Sequence, residues 1–351
     1  MTLAPAAHEG ASAPAARFAV LGAGSWGTAL AIHLARIGHD VSLWARNESA
    51  AAELRRTRTN TRYLLPVPLP DAVHAHASLA EALAGAGFVV LAVPSHGMRG
   101  VVRALVPRLE PGAVLISAAK GLESSSLSRM SQVIADEAGN GVPVVVLSGP
   151  SFALEVASGL PTAILAASQD GIAANAVQER CRGPAFRLYV SDDVTGVEIG
   201  GALKNVIAIA AGVVEGTGLG HNAMAALITR GLAEISRLAA AEGARRDTLA
   251  GLSGLGDLVL TCTGELSRNR RVGVELGRGR DLSAILSELG MVAEGVHTTG
   301  AALALGARHG IELPITAQMA AVLEGRRTPR EALEALMLRP QKPEADVRSG
   351  A

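Results

Sequence analysis

Aromatic residues are scarce in this sequence: Phe, Trp and Tyr make up 2% of its 351 residues. Stacked rings cannot fill its interior. Alanine, glycine, leucine and valine must do so, which favours close helix packing. Cysteine is also rare. Cys181 and Cys262 lie far apart and without metal-like spacing. That excludes a disulfide framework and a thiolate metal site, and fits reduced, buried thiols in the cytoplasm. No metal site is expected. Charge of one sign is missing too, because 32 basic residues balance 32 acidic ones. Nothing in that balance calls for a nucleic-acid or membrane partner. No stretch reaches the roughly 18 uninterrupted apolar residues of a membrane span. Residues 199–214 (IGGALKNVIAIAAGVV) come nearest, but the run is short and carries Lys204 at its centre. The first residues, MTLAPAAHEGASAPAAR, lack the basic start and long apolar segment of a signal peptide. Residues 1–16 read as a disordered leader and 339–351 as a flexible tail.

What is present is 49% hydrophobic, enough to bury a sizeable core, and its length suits two domains. Residues 17–21, 41–44, 88–93, 113–117 and 143–147 are continuous apolar runs, as expected of strands covered on both faces. Residues 163–167 and 187–190 are further strand candidates. Helical patterns separate most of the runs, so the first half reads as β-α-β units on a mostly parallel sheet. Ser25 to Ile37 is one such helix, stopped at Gly38. From Gly196 to about Leu338 the patterns are helical, with 222–243 a long example. The fold class is an α/β Rossmann-type domain (17–190) followed by an all-α domain (191–338). Residues 55–69, basic and then broken by proline, read as an irregular surface loop.

Gly22-Ala23-Gly24-Ser25-Trp26-Gly27 leaves a strand and opens a helix, the context a dinucleotide-binding turn requires. Gly22 permits the tight turn. Gly24 lets the backbone approach a pyrophosphate, and Gly27 lets helix and strand pack closely. At the end of the second strand stands Arg46, where an acid would favour NAD(H). Arginine there suits a 2′-phosphate, so NADP(H) is favoured. Glu48, two residues on, keeps NAD(H) open.

Lys204 poses a choice. A lysine in an apolar helix usually snorkels to water. Gly200, Gly201 and Ala202 would instead leave open space around it, in a helix just past the cofactor domain. Burial lowers a lysine's pKa, which suits a group that trades a proton with a substrate oxygen during hydride transfer. Asn205 is the only other polar side chain in the run. Farther along, Asp257 sits between glycines in GLGDL and, taken alone, reads as a helix N-cap. Ser267, Arg268 and Asn269 open a donor cluster that suits a phosphate. His96 reads as a surface residue. His221 caps or precedes the long helix.

Together these stretches resemble the bacterial NAD(P)-dependent glycerol-3-phosphate dehydrogenases over roughly 17–338. The matching segments are GAGSWGTALA (22–31), LAVPS (91–95), SAAKGLE (117–123), LSGPSFALEV (147–156), GVEIGGALKNVIAIAAG (196–212), GLGDLVLTC (254–262), SRNRRVG (267–273) and MVAEGVHTT (291–299). The resemblance implies reduction of dihydroxyacetone phosphate to sn-glycerol 3-phosphate, a phospholipid precursor. It implies Lys204 as proton donor and acceptor, and Lys120 near both cofactor and substrate. Gly149, Ser151, Asn205, Asp257, Ser267, Arg268 and Asn269 fall on the substrate side. Ser25, Trp26, Arg46, Tyr63, Ala153, Arg268, Val292 and Glu294 fall on the cofactor side. A homodimer is compatible with the Ala- and Gly-rich helical half, although no motif demands it. Two rivals stand beside this reading. One is a two-domain dehydrogenase for carboxylated substrates, against which the 267–271 cluster argues. The other is a nucleotide-sensing protein without turnover, which would need neither Lys204 nor Asp257.

Overall fold

The computed structural model describes residues 15–341, apart from 65 and 140. Expectations for residues 1–14 and 342–351 lie outside the described residues. Eight strands form one sheet: β1 (Arg17–Leu21), β2 (Asp40–Trp44), β3 (Val73–His76), β4 (Phe88–Leu91), β5 (Val114–Ser117), β6 (Val144–Ser148), β7 (Thr162–Ala167) and β8 (Phe186–Ser191). Their order is β3-β2-β1-β4-β5-β6-β7-β8. All neighbours are parallel except β6 and β7. Strand order reverses between β1 and β4, and ligands of such sheets bind in the crevice at the strands' carboxyl ends there.

The apolar runs are covered on both faces, as their composition requires. Phe18 and Val20 of β1 face one core, together with Leu30 and Leu34 of the helix Ser25–Arg36. Ala19 and Leu21 face the other, with Met98 and Val102. β3 has no counterpart in the apolar runs. It is an edge strand, VHAH, that buries only alternate residues. The segment 55–69 is a loop only in part: Arg55 to Thr57 close the helix Glu48–Thr57, and Arg58 ends it in the left-handed region at φ 52°.

After β8 the described chain is helical. Asp193 caps the central helix Val194–Gly216 by accepting the Gly196 N–H at 2.9 Å. Every residue from Gly196 to Val214 is buried. Among the described residues this is the one helix long and apolar enough to cross a membrane, and its apolar stretch is buried inside the protein. Around it stand the helices Gly220–Ala241, Asp257–Thr263, Arg268–Gly277, Glu294–Arg308 and Pro314–Leu323. Small residues bring these axes close. A Cβ on Gly212 would stand 2.0 Å from Arg270 O, and one on Gly273 would stand 1.9 Å from Ile209 O. That contact carries Asn269 up against the turn of helix that bears Lys204 and Asn205.

Candidate active site

The glycine turn has the contacts its spacing foretells. Gly22 has φ +120°, and an added Cβ would lie 2.5 Å from Ala92 O. A Cβ on Gly27 would lie 1.9 Å from Gly22 O, so helix and strand touch there. A Cβ on Gly24 would meet nothing within 4 Å. The backbone at Gly24 is therefore open to a ligand. No side chain caps the helix Ser25–Arg36, which leaves its first N–H groups available to an anion. Trp26 packs against the sheet core. Asn60, which the sequence did not single out, braces this turn by donating to Ala23 O at 3.0 Å and Thr28 Oγ1 at 2.7 Å. It also accepts the Tyr63 N–H at 3.2 Å.

Lys204 is 6% exposed, so it does not snorkel. The space expected around Gly200 and Gly201 is not open either. A Cβ on Gly200 would lie 2.7 Å from Ser253 O, and one on Gly201 would lie 2.6 Å from Ser148 Oγ. The missing side chains let the end of β6 and the 252–256 turn close on the helix. Lys204 Nζ donates to Asp257 Oδ1 and to Thr261 Oγ1, both at 2.6 Å. Thr261 in turn donates to Asp257 O at 2.6 Å, so its lone pair is what faces the amine. Thr261 was missed from sequence. Its signal is the four-residue helical spacing from Asp257.

Asp257 is not the N-cap its flanking glycines suggested. The chain makes a π-helical turn over Leu252–Gly256, and Asp257 is the first residue of the helix that follows. Its carboxylate is spent on two lysines. Oδ1 takes Lys204, and Oδ2 takes Lys120 Nζ at 2.6 Å. Lys120 also donates to Gly149 O at 2.9 Å. An ammonium has three N–H donors, and the described residues engage two on each lysine. Each keeps one for something else. Burial, opposed by Asp257 and reinforced by Lys120, brings Lys204 down to about 8.

Amides close the floor. Asn205 donates to Lys120 O at 3.2 Å and accepts from Asn269 Nδ2 at 2.9 Å. Asn269 Oδ1 accepts the Gly295 N–H at 3.0 Å. Ser267 caps the helix Arg268–Gly277 by accepting the Arg270 N–H at 3.2 Å. Gly149 sits at φ +140°, packed on Ile164, and its carbonyl also accepts from Ser151 Oγ at 3.0 Å. Ala153 opens the helix Ala153–Ala157 just beyond.

Arg268 has no carboxylate within ion-pair distance among the described residues, and burial lowers its pKa. Its guanidinium lies 4.0 Å from Met291 Sδ, and Ser25 Oγ approaches the same sulfur at 3.9 Å. An unpaired guanidinium thus stands near the free N-terminus of the Ser25–Arg36 helix, an arrangement suited to phosphate oxygens. Val292 follows Met291, and Glu294 reaches back to the β4 end. Arg46 stands apart from this centre. It is exposed two residues beyond β2 and pairs with no acid among the described residues, whereas Glu48 is engaged by Arg55. His96 is exposed, with its ring 5.5 Å from that of His297. His221 is exposed in the first turn of the helix Gly220–Ala241.

Comparison with known proteins accords with this geometry. Residues 17–174 match the N-terminal model, and 193–334 the C-terminal model, of NAD-dependent glycerol-3-phosphate dehydrogenase. A glycerol-3-phosphate dehydrogenase [NAD(P)+] of Acidobacterium capsulatum is 52% identical over 336 residues, 93% of this chain and 99% of its own. That of Stenotrophomonas maltophilia is 50% identical over 333 residues, 95% and 98% respectively. The crystal structure of glycerol-3-phosphate dehydrogenase from Coxiella burnetii superposes with a TM-score of 0.90 at 42% identity. It covers 93% of this chain and 99% of that one. Two family models that together span most of the chain, and relatives half identical along nearly all of it, place this protein in the NAD-dependent glycerol-3-phosphate dehydrogenase family.

Proposed function

We propose that this chain catalyses the reversible, NAD(P)H-dependent reduction of dihydroxyacetone phosphate to sn-glycerol 3-phosphate, supplying glycerophospholipid synthesis. The observation that carries the reading is the shared carboxylate of Asp257, with one donor left over on Lys204 and one on Lys120. The bound nicotinamide supplies the hydride. The chain supplies everything around it. Gly24 and the free N–H groups of the Ser25–Arg36 helix would hold the pyrophosphate. Trp26, Tyr63, Ala153, Val292 and Glu294 would line the remainder of the cofactor.

As the ketone oxygen gains charge, Lys204 gives it a proton, and an amine near pKa 8 does so readily at neutral pH. In the reverse direction the neutral amine takes the proton back. The Lys120 Nζ would stand beside the same oxygen and stabilise the alkoxide through a hydrogen bond. Asp257 and Thr261 fix the direction of the Lys204 N–H bonds. Arg268, Asn269, Ser267, Gly149, Ser151 and Asn205 would hold and shape the substrate, so that binding energy at its phosphate orients its carbonyl.

Arg46 favours NADP(H) over NAD(H) in this reading, since it is exposed and has no acidic partner among the described residues, while Glu48 is occupied by Arg55. Residues 17–190 would act as the dinucleotide domain and 191–338 as the substrate domain. Two buried free thiols, Cys181 and Cys262, suit the cytoplasm. The helical half exposes Leu219, Leu255, Val259 and Leu266, apolar side chains that a homodimer would cover. The test is a steady-state assay of nicotinamide absorbance with dihydroxyacetone phosphate and, separately, a carboxylated ketone. Turnover with the phosphorylated ketone alone is expected, faster with NADPH. Preference for the carboxylated ketone, or cofactor binding without turnover, would overturn the reading.

A further inference from the structure

Beyond β4 the chain turns tightly over Ser95–Gly97. Ser95 is 3% exposed. Its N–H donates to Glu294 Oε1 at 3.0 Å, and its hydroxyl donates to Glu294 Oε2 at 2.6 Å. One residue thus grips both oxygens of a carboxylate 199 positions away in the chain. Among the described residues no lysine or arginine pairs with Glu294 at ion-pair distance. The serine is its principal partner. Gly121, next to Lys120, completes the contact. A Cβ there would stand 2.7 Å from Ser95 Cβ and Oγ, and 3.0 Å from Glu294 Oε2.

The pair is rooted on both sides. Ala92 and Val93, just before Ser95, lie against Gly22: a Cβ on that glycine would be 2.5 Å from Ala92 O and 3.3 Å from Val93 Cγ1. Glu294 opens the helix Glu294–Arg308. Its neighbour Gly295 begins the amide relay through Asn269 and Asn205 to the carbonyl of Lys120. Contact therefore runs from the glycine turn through Ser95 and Glu294 to the lysine centre.

We propose that Ser95 is a positioning residue for cofactor binding. By taking both oxygens of Glu294, it holds that carboxylate in one rotamer at the lip of the crevice. An ionised carboxylate has about four acceptor directions, and Ser95 fills two of them. The others stay available to donors on a bound nicotinamide cofactor. The inference rests on the reading above that Glu294 meets the cofactor. A glutamate without this grip would sample several rotamers, and binding would have to order it.

The test uses the full chain and NADPH, with the dissociation constant read by fluorescence titration and kcat read at saturating NADPH and dihydroxyacetone phosphate. Ser95→Ala should weaken NADPH binding about tenfold, the scale of a hydrogen bond to a charged group, with kcat within about threefold of native. Ser95→Thr, which restores the hydroxyl, should recover most of the loss. Glu294→Gln should weaken binding at least as much, and the double variant Ser95→Ala/Glu294→Gln no further, because Ser95 acts only through Glu294. Native affinity in Ser95→Ala, beside a weakened Glu294→Gln, would overturn the inference and leave the role of Glu294 standing. Native affinity in Glu294→Gln would remove both. Additive losses in the double variant, or no recovery with threonine, would also overturn it. Glu294→Asp covers the case in which Ser95→Ala does not fold. It keeps the charge but shortens the reach to Ser95, so it should bind NADPH about tenfold more weakly, and native affinity in it counts against the proposal.

Discussion

Asp257→Asn tests the shared carboxylate. In the native protein one anion, itself 1% exposed, faces two ammonium groups at 2.6 Å. At an effective dielectric of about 20, each pair attracts by roughly 6 kcal/mol. Much of that offsets the hydration the three groups give up on burial. Taking away the anion leaves the buried Lys204 beside the partly buried Lys120 without a counter-charge, and breaking a buried pair in this way costs about 3–5 kcal/mol. Asparagine keeps a carbonyl acceptor for one lysine, so the lower end applies. The same change should act on Lys204 directly. Burial and Lys120 hold its pKa down, and Asp257 is the chief group that holds it up. Without the carboxylate the pKa falls below its native value of about 8. The fraction of ammonium at neutral pH then drops, and ketone reduction, which needs the ammonium, should lose rate from a lower pH upward. The assay is kcat/KM for dihydroxyacetone phosphate across pH 6–10, beside a thermal melt. An inflection unmoved from the native position, together with an unchanged melting temperature, would refute the electrostatic argument.

Three further outcomes follow from other parts of the structure. Arg46→Ala should weaken NADPH roughly tenfold or more while barely changing NADH, on the scale of a charge-assisted contact to phosphate; equal losses for both cofactors in parallel titrations would remove the 2′-phosphate role. Gly27→Ala must push the Ser25–Arg36 helix off β1, because its Cβ would lie 1.9 Å from Gly22 O. It should cost about 1–3 kcal/mol in denaturant unfolding and abolish measurable cofactor binding, and a stable variant that binds normally would contradict the close contact. Glu234 is buried and accepts the Ile315 and Thr316 N–H groups, both at 2.9 Å, at the start of the helix Pro314–Leu323. Burial raises its pKa. A raised carboxyl binds its proton more tightly in the folded state, so its stabilising effect is full below the unfolded pKa and fades as pH rises through the folded one. The stability of Glu234→Gln relative to native should therefore improve as pH is raised from 4 toward 7, and a constant difference in chemical denaturation would refute this.

Much of this arrangement is legible in the sequence, for physical reasons that differ by element. β1, β4, β5 and β6 are covered on both faces, so each is a continuous apolar run. β3 is an edge, half exposed, and its VHAH leaves no such mark. The glycine turn is legible because backbone geometry admits little else at Gly22 and Gly27. Lys204 stands out as a lone charge in an apolar helix. Its partners do not, because folding assembles them from distant places. Asp257 is 53 residues away and takes its role from a π-helical turn, not from a cap. Asn60 and Ser95 look like ordinary loop residues until the chain closes. The glycines before Lys204 read as open space, but backbone and side-chain atoms of other segments fill it. Sequence shows which residues lack room or hydration. It does not show which neighbours will supply what they lack.

The central claim is that the Lys204 amine, with a pKa near 8, exchanges the substrate proton. The most direct measurement is the pH dependence of kcat/KM in both directions, with native protein and with Lys204→Ala. Native reduction should decline above pH 8 and native oxidation below it, around one common inflection, while Lys204→Ala should bind NADPH normally and turn over at least about a hundredfold more slowly. A near-native rate in Lys204→Ala, or parallel pH profiles for the two directions, would contradict the account.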